Sequence, residues 1–359
     1  MERREFLKKA GLAVAASTAL SPNVFAQGGG KMSFEMVTSW PTSLDTIHGG
    51  ATNFAKYVSE MTGGDIEIEV YPAGAQVGGL EVFDAVSNGA FTFGHTASYY
   101  YVGKDPAHAF FTAIPFGLNV NQQDSWVHSG GGQELWDELN ADFNLRAYLA
   151  GNTGVQMGGW FNKEINSAAD LQGLKMRIPG LGGQVMAKAG VNVQVLPGGE
   201  IYLALERGVI DATEWVGPYD DEILGFNKVA KYYYTPGWHE PGAALGVYMN
   251  LDEWSSWPED IQNIMRAAAA KANQQMMSDY DAKNGAAFAR LQAAGVEVRL
   301  FPREVLDALN SHMQEIHQDA IAASPMYAKI YEPWVKFRDE VRSFHKYQEY
   351  AWHQYVYGA

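Results

Sequence analysis

The sequence predicts an α/β protein made of two lobes and a helical C-terminal extension, and three observations carry that expectation. At 359 residues and 47% hydrophobic, the chain can bury two cores and is long for a single compact domain. A strand–helix alternation runs through the first hundred residues and returns after residue 153, each time punctuated by Gly or Pro. From Pro258 onward the apolar spacing is helical almost to the end.

The elements follow in order. Residues 1–26 hold the basic head Arg3-Arg4-Glu5-Phe6-Leu7-Lys8-Lys9, a short apolar run Ala10 to Leu20 and a small-residue exit at Ala26. That pattern is a signal peptide, and its paired arginines resemble the twin-arginine type. Its apolar middle is too short to span the membrane. Met32 to Val37 alternates as a strand. Phe54, Tyr57, Val58 and Met61 share one helix face, which Thr62-Gly63-Gly64 ends. Ile66 to Tyr71 is a second strand, and Leu80 to Asn88 a second helix.

In the second lobe, Val155–Gly158, Gly173–Ile178, Val191–Leu196 and Val209–Glu214 read as strands. Helices at Leu181–Ala189 and Gly199–Glu206 separate them. Ala244 to Met249 reads as a strand returning to the first lobe, because two-lobed proteins often cross between lobes more than once. A long helix then runs to Ala294, a brief strand covers Val296–Leu300, and the rest is helix broken at Pro325 and Pro333. The resulting division is 1–26 signal peptide, 27–152 plus about 243–300 first lobe, 153–242 second lobe and 301–359 C-terminal helices. Those last helices carry an aromatic series from Tyr327 through Trp334, Phe344 and Trp352 to Tyr357. Such density implies a partner surface: packing within the subunit is one reading, and a homodimer contact through the aromatic helices is the other.

Composition excludes several functions. Twenty-six Lys and Arg against forty-one Asp and Glu give a net charge of -15, which repels nucleic acid and anionic membranes. Cutting after residue 26 removes four bases and two acids, so the mature chain is more acidic still. The absence of cysteine removes thiol catalysis, thiolate metal sites and disulfides. No Walker loop, Gly-x-Ser-x-Gly elbow or His-Glu-x-x-His run is present. Gly180-Leu181-Gly182-Gly183 lacks dinucleotide spacing and reads as a strand-to-helix turn. His312 and His317 read as surface residues, and Asp220-Asp221-Glu222 as a solvated helix N-terminus.

What remains lies in the second lobe, where strands end and open α/β sheets collect ligands. Arg177 closes the strand before Pro179. Its planar fork suits a carboxylate, and a structural ion pair is the equal alternative. Gln156, placed in the Val155–Gly158 strand, Glu214-Trp215 at another strand end and Glu240 in the Trp238-His239-Glu240-Pro241 turn supply hard oxygen donors. Those donors suit Na⁺ or Ca²⁺, whereas Zn²⁺ would want His or Cys.

Three longer segments carry a resemblance: Gly94-His95-Thr96-Ala97-Ser98-Tyr99-Tyr100-Tyr101, then Leu171-Gln172-Gly173-Leu174-Lys175-Met176-Arg177-Ile178-Pro179-Gly180, then Ala204 to Trp215. They resemble the extracytoplasmic solute-binding proteins of TRAP transporters (DctP-like), most of all the branch that binds 2-oxo or 2-hydroxy monocarboxylates such as pyruvate and lactate. The resemblance implies a two-lobed periplasmic binding protein fold with a hinged cleft, periplasmic location and no enzymatic activity. It implies delivery of the solute to TRAP transporter membrane subunits. Arg177 would hold the substrate carboxylate. Gln156, Glu214 and the Trp215 backbone carbonyl would hold a metal ion bridging protein and substrate, with Glu240 a further cleft ligand. Thr96, Tyr100 and Tyr101 would line the cleft from the first lobe.

Charge counting then favours calcium over sodium, provided Glu240 is in the cleft, because uncompensated buried charge is costly. The rival from another class is a secreted metal-dependent enzyme acting on 2-oxo acids, with Glu214 as base and His95 or His239 as acid.

Overall fold

A computed structural model describes residues 31–358; the predicted signal peptide lies outside the described residues. The first unit runs β1 (Met32–Thr38), α1 (Ile47–Met61), β2 (Ile66–Tyr71), α2 (Val82–Ser87), β3 (Phe93–Thr96), α3 (Val120–Ser129), α4 (Gly132–Ala141) and β4 (Leu145–Asn152). Burial of Phe54 and Val58 on α1 contributes about 1.5–3 kcal/mol each. The helix ends where Gly63 and Gly64 take positive φ.

The second unit runs β5 (Gly159–Phe161), β6 (Lys175–Arg177), α5 (Gly180–Lys188), β7 (Asn192–Gln194), α6 (Gly198–Glu206), β8 (Ala212–Thr213), α7 (Pro218–Ile223) and β9 (Tyr232–Thr235). The chain continues through β10 (Ala244–Asn250), α8 (Leu251–Ser256), α9 (Glu259–Ala293), β11 (Glu297–Leu300), α10 (Arg303–Ala323), α11 (Pro325–His345) and α12 (Glu349–Tyr357).

Two sheets result. The first has the order β2-β1-β3-β10-β4, with β10 antiparallel to both neighbours, so the predicted return at Ala244 to Met249 is where the sheet is completed. The second has the order β11-β9-β5-β8-β6-β7. The placement of residues up to about 300 in the first lobe needs correction, since β11 pairs with β9 through Glu297↔Tyr232 to Leu300↔Thr235. The cause is α9. Its 35 residues span about 52 Å, packing on α1 and β4 at one end and on α7 at the other, so the chain leaves it beside the second sheet.

Further expectations change, and one is His317, which is buried rather than at the surface, its Nδ1 2.7 Å from Tyr327 Oη. The segment 155–158 is not a strand; β5 begins at Gly159, whose φ of 116° favours glycine. Pro333 lies within α11 without ending it, while Pro325 takes the first helical position, where its missing N–H costs little. The aromatic series splits: Tyr327 and Trp334 join the core, whereas α12 contains no buried residue and Tyr347 and Tyr355 are 78% and 89% exposed.

Asp220 and Asp221 are buried rather than solvated. Asp221 Oδ2 accepts from Tyr233 Oη at 2.6 Å and Trp160 Nε1 at 2.9 Å. Burial still pushes its carboxyl from the ordinary 3.8 up to about 7. A raised carboxyl favours the folded state below the unfolded value, and that contribution is lost as pH rises through the folded value. Asp221→Asn removes the titration. In denaturant melts between pH 5 and pH 8, the variant is therefore expected to gain stability relative to the parent as pH rises. A stability difference independent of pH would refute it.

Candidate functional site

The two sheets meet at a narrow cavity of about 10 Å³. Trp40, Ile47, Tyr99, Tyr100 and Leu245 line it from the first unit, and Gln156, Trp215, Val216 and Glu240 from the second, with Thr153 and Ala243 where the chain crosses. Trp40 follows the C-terminal end of β1, the end at which parallel sheets present ligand sites.

Arg177 ends β6 and is 1% exposed. Its Nε donates to the Leu196 carbonyl at 3.1 Å, and its Nη1 donates to the Glu214 carbonyl at 3.3 Å and to Glu214 Oε1. The Trp215 ring lies 5.1 Å from the guanidinium carbon. Nη2 has no partner among the described residues. The ion-pair reading of Arg177 and the carboxylate reading are therefore compatible, because Nε and Nη1 are held by Leu196 and Glu214 while Nη2 is left unpaired among the described residues.

Glu214 follows β8 and is fully buried, with Oε2 at 3.3 Å from His239 Nε2. Glu214, His239 and Glu240 each bring a ligand-type atom within 4.8 Å of the others. Burial first, and the Glu214 charge next, hold the Glu240 carboxyl well above the usual carboxylate range. Gln156 N–H donates to the Glu240 carbonyl at 3.2 Å, and its Nε2 donates to Thr153 Oγ1 at 2.9 Å. Gln156 Oε1 and Glu240 Oε2 are buried and unpartnered among the described residues. Two unpaired hard oxygens beside a buried carboxylate fit a hard cation by the chemistry of the donor set.

The structure thus brings together Gln156, Arg177, Glu214, Trp215, Glu240 and Tyr100. It turns Thr96 and Tyr101 away. Tyr101 Oη accepts from the Phe83 N–H at 3.2 Å and pairs with Thr96 Oγ1 at 3.1 Å, which also pairs with Ser39 Oγ at 2.6 Å. Residues 98–101 form a 3₁₀ turn, whose three residues per turn send successive tyrosines in three directions. Tyr99 and Tyr100 reach the cavity, and Tyr101 the core.

His95 is not available as a general acid. Trp40 Nε1 donates to its Nδ1 at 2.7 Å, which leaves the proton on Nε2, 3.2 Å from the Ala150 carbonyl. Burial pushes its pKa down to about 4, so the ring is neutral. Trp40, Ile47 and Thr153 were not legible as cavity residues. Only the position of Trp40 at a strand end offered a signal.

Comparisons with known proteins agree with this frame. The model of bacterial extracellular solute-binding protein family 7 matches residues 36–324. A monocarboxylate 2-oxoacid-binding periplasmic protein from a Nostoc species is 48% identical, with 99% of each chain covered. A TRAP transporter solute-binding protein from Bordetella bronchiseptica superposes with a TM-score of 0.90 at 43% identity, covering 92% of this chain and 98% of that one. It is described as a mixed-occupancy dimer with copurified calcium and picolinate. A TRAP periplasmic solute-binding protein from Pseudoalteromonas atlantica, with bound sodium and pyruvate, gives a TM-score of 0.87 at 38% identity, covering 90% and 99%.

These are transport proteins rather than enzymes, which removes the rival catalytic reading of Glu214. Matched over most of its length by the family model and almost end to end by a relative of the same kind, the chain belongs to family 7 of the bacterial extracellular solute-binding proteins.

Proposed function

We propose that this chain is the periplasmic receptor of a TRAP transporter, binding a 2-oxo or 2-hydroxy monocarboxylate of pyruvate or lactate size with a metal ion and passing it to the membrane subunits. The observation that carries the reading is the unpaired Nη2 of Arg177, whose guanidinium lies against the ring of the cavity-lining Trp215, together with the unpaired oxygens of Gln156 and Glu240 in the same cavity wall. Arg177 would take the carboxylate, while Gln156, Glu214, Glu240 and the Trp215 carbonyl would hold the ion, which would supply positive charge to the bound solute. The named ligands of the Nostoc, Bordetella and Pseudoalteromonas relatives support this assignment.

Calcium is the preferred ion. Arg177 balances one of Glu214, Glu240 and the solute carboxylate, so a divalent cation neutralises the rest. Sodium balances the site only if Glu240 keeps its proton.

Isothermal titration tests the reading. Pyruvate is expected to bind in calcium chloride and to lose most of its affinity in EDTA with potassium as the only added cation. Succinate is expected not to bind, because its second carboxylate would face Trp40, Ile47 and Leu245 with no cation among the cavity-lining residues. Equal binding of succinate would overturn the monocarboxylate assignment.

The exposed aromatic helix α12 supports a homodimer, as does the dimer of the Bordetella relative. Light scattering is expected to show a dimer for the mature chain and a monomer after deletion of residues 346–359. A monomeric parent would refute it. The Arg3-Arg4 segment accounts for export, and no described helix is long and apolar enough to cross a membrane.

A further inference from the structure

One buried carboxylate touches the site without lining the cavity. Asp220 is 0% exposed; its Oδ2 accepts from Tyr280 Oη at 2.8 Å and from Trp215 Nε1 at 3.3 Å, and its Oδ1 has no partner among the described residues. A carboxylate held by two neutral donors is a costly way to fill space, since an apolar side chain of similar size would avoid the desolvation. What it supplies that an apolar residue does not is a fixed direction for the indole N–H.

That indole is in the middle of the site. Its ring lies 5.1 Å from the Arg177 guanidinium carbon and meets Trp40 of the first unit edge-on at 6.3 Å. Gly198 backs it so closely that a Cβ there would fall 2.5 Å from the ring. Tyr280, the other donor, belongs to α9. Within one turn, Lys283 donates to Asp45 Oδ2 at 3.0 Å and Thr46 Oγ1 at 2.8 Å in the first unit, and Asn284 Oδ1 accepts from the Tyr219 N–H at 3.0 Å in the second. The same stretch of helix therefore grips both units and, through one carboxylate, the aromatic wall of the site.

We propose that Asp220 is a positioning residue that ties the Trp215 indole, and with it the Arg177 guanidinium and its free Nη2, to helix α9, so that solute affinity depends on a contact that touches no solute. The neighbouring Asp221 provides an internal control. Its Oδ2 holds Trp160 and Tyr233, whose rings stack at 4.1 Å and do not line the cavity, while its Oδ1 accepts from the Val216 backbone N–H at 3.4 Å and so holds no side chain of the site. Removing a hydroxyl from either tyrosine costs a similar buried hydrogen bond, but only Tyr280 shares its acceptor oxygen with the Trp215 indole N–H.

The proposal rests on the receptor reading, and its test separates the two. The mature protein is labelled with 5-fluorotryptophan, the Trp215 line is assigned with Trp215→Phe, and Tyr280→Phe, Asp220→Ala, Asp220→Asn and Tyr233→Phe are compared. Tyr280→Phe and Asp220→Ala are expected to shift the Trp215 line with or without pyruvate and to weaken pyruvate binding in calcium chloride by about tenfold. Asp220→Asn, which keeps an acceptor oxygen, is expected to restore most of both. Tyr233→Phe should leave both unchanged at a comparable loss of melting temperature. An unmoved Trp215 line in Tyr280→Phe, or equal loss of affinity in Tyr233→Phe, overturns the proposal. Failure of the parent to bind pyruvate refutes only the receptor reading, because the Trp215 line in the unliganded protein still decides the positioning role.

Discussion

Arg177→Met is expected to abolish the rise in melting temperature that pyruvate and calcium produce in the parent protein. The arginine is buried, and Nη2, the one nitrogen of its fork not taken by Leu196 or Glu214, is the only unpaired cationic donor found at the site among the described residues. Charge-assisted hydrogen bonds contribute about 1.5–3 kcal/mol each, so losing even one lowers affinity by at least about tenfold. The unliganded variant should also unfold more easily, by about 3–5 kcal/mol, because Glu214 is left buried without its cation. Arg177→Lys keeps the charge but not the fork, and cannot serve Leu196, Glu214 and a solute together. A differential scanning fluorimetry series decides the matter: a ligand-induced shift that survives in Arg177→Met removes that residue from the carboxylate site.

Glu240→Gln is expected to move stability and binding in opposite directions. Burial and the Glu214 charge hold the Glu240 carboxyl well above its usual range, so the unliganded fold prefers it protonated. Such a group loses its contribution to stability as pH rises, whereas glutamine has nothing to lose. The unliganded variant should therefore melt no lower than the parent, with the gap widening in its favour from pH 5 to pH 8. Pyruvate affinity in calcium chloride should fall by at least about tenfold, because the replacement offers a neutral oxygen where an anionic one faces the ion. Loss of stability without loss of calcium-dependent affinity would show that Glu240 is only part of the core.

Much of this site was readable because strand ends are conspicuous in sequence. Arg177 before Pro179 and Glu214-Trp215 both occupy such ends, and they meet at the site, where Trp215 lines the cavity and Arg177 lies against its ring. Gln156 reaches the same place from an irregular segment, where period-two reading has no purchase and Val155 is exposed to solvent. The tyrosine run was ambiguous for a different reason, since a 3₁₀ turn points neighbours apart and the pattern of letters does not say which way. Asp220 and Asp221 look like solvated helix-start acids because their partners Trp160, Tyr233 and Tyr280 come from elements remote in sequence. The stretch between Val102 and Asn152, with α3, α4 and β4, gave no usable strand–helix rhythm, although Asn119 and Gln122 form a reciprocal cap at the start of α3.

The pairing of β11 with β9 also bears on how the protein is made. A strand that arrives only after α9 completes a sheet whose other members precede it by dozens of residues, so neither lobe is a contiguous stretch of chain. Such long-range closure slows folding and leaves the β9 edge unsatisfied until the C-terminal third has emerged. A fragment ending before Glu297 should therefore aggregate rather than yield a weaker receptor. For the same reason, exchanging lobes between relatives requires at least three splice points, not one.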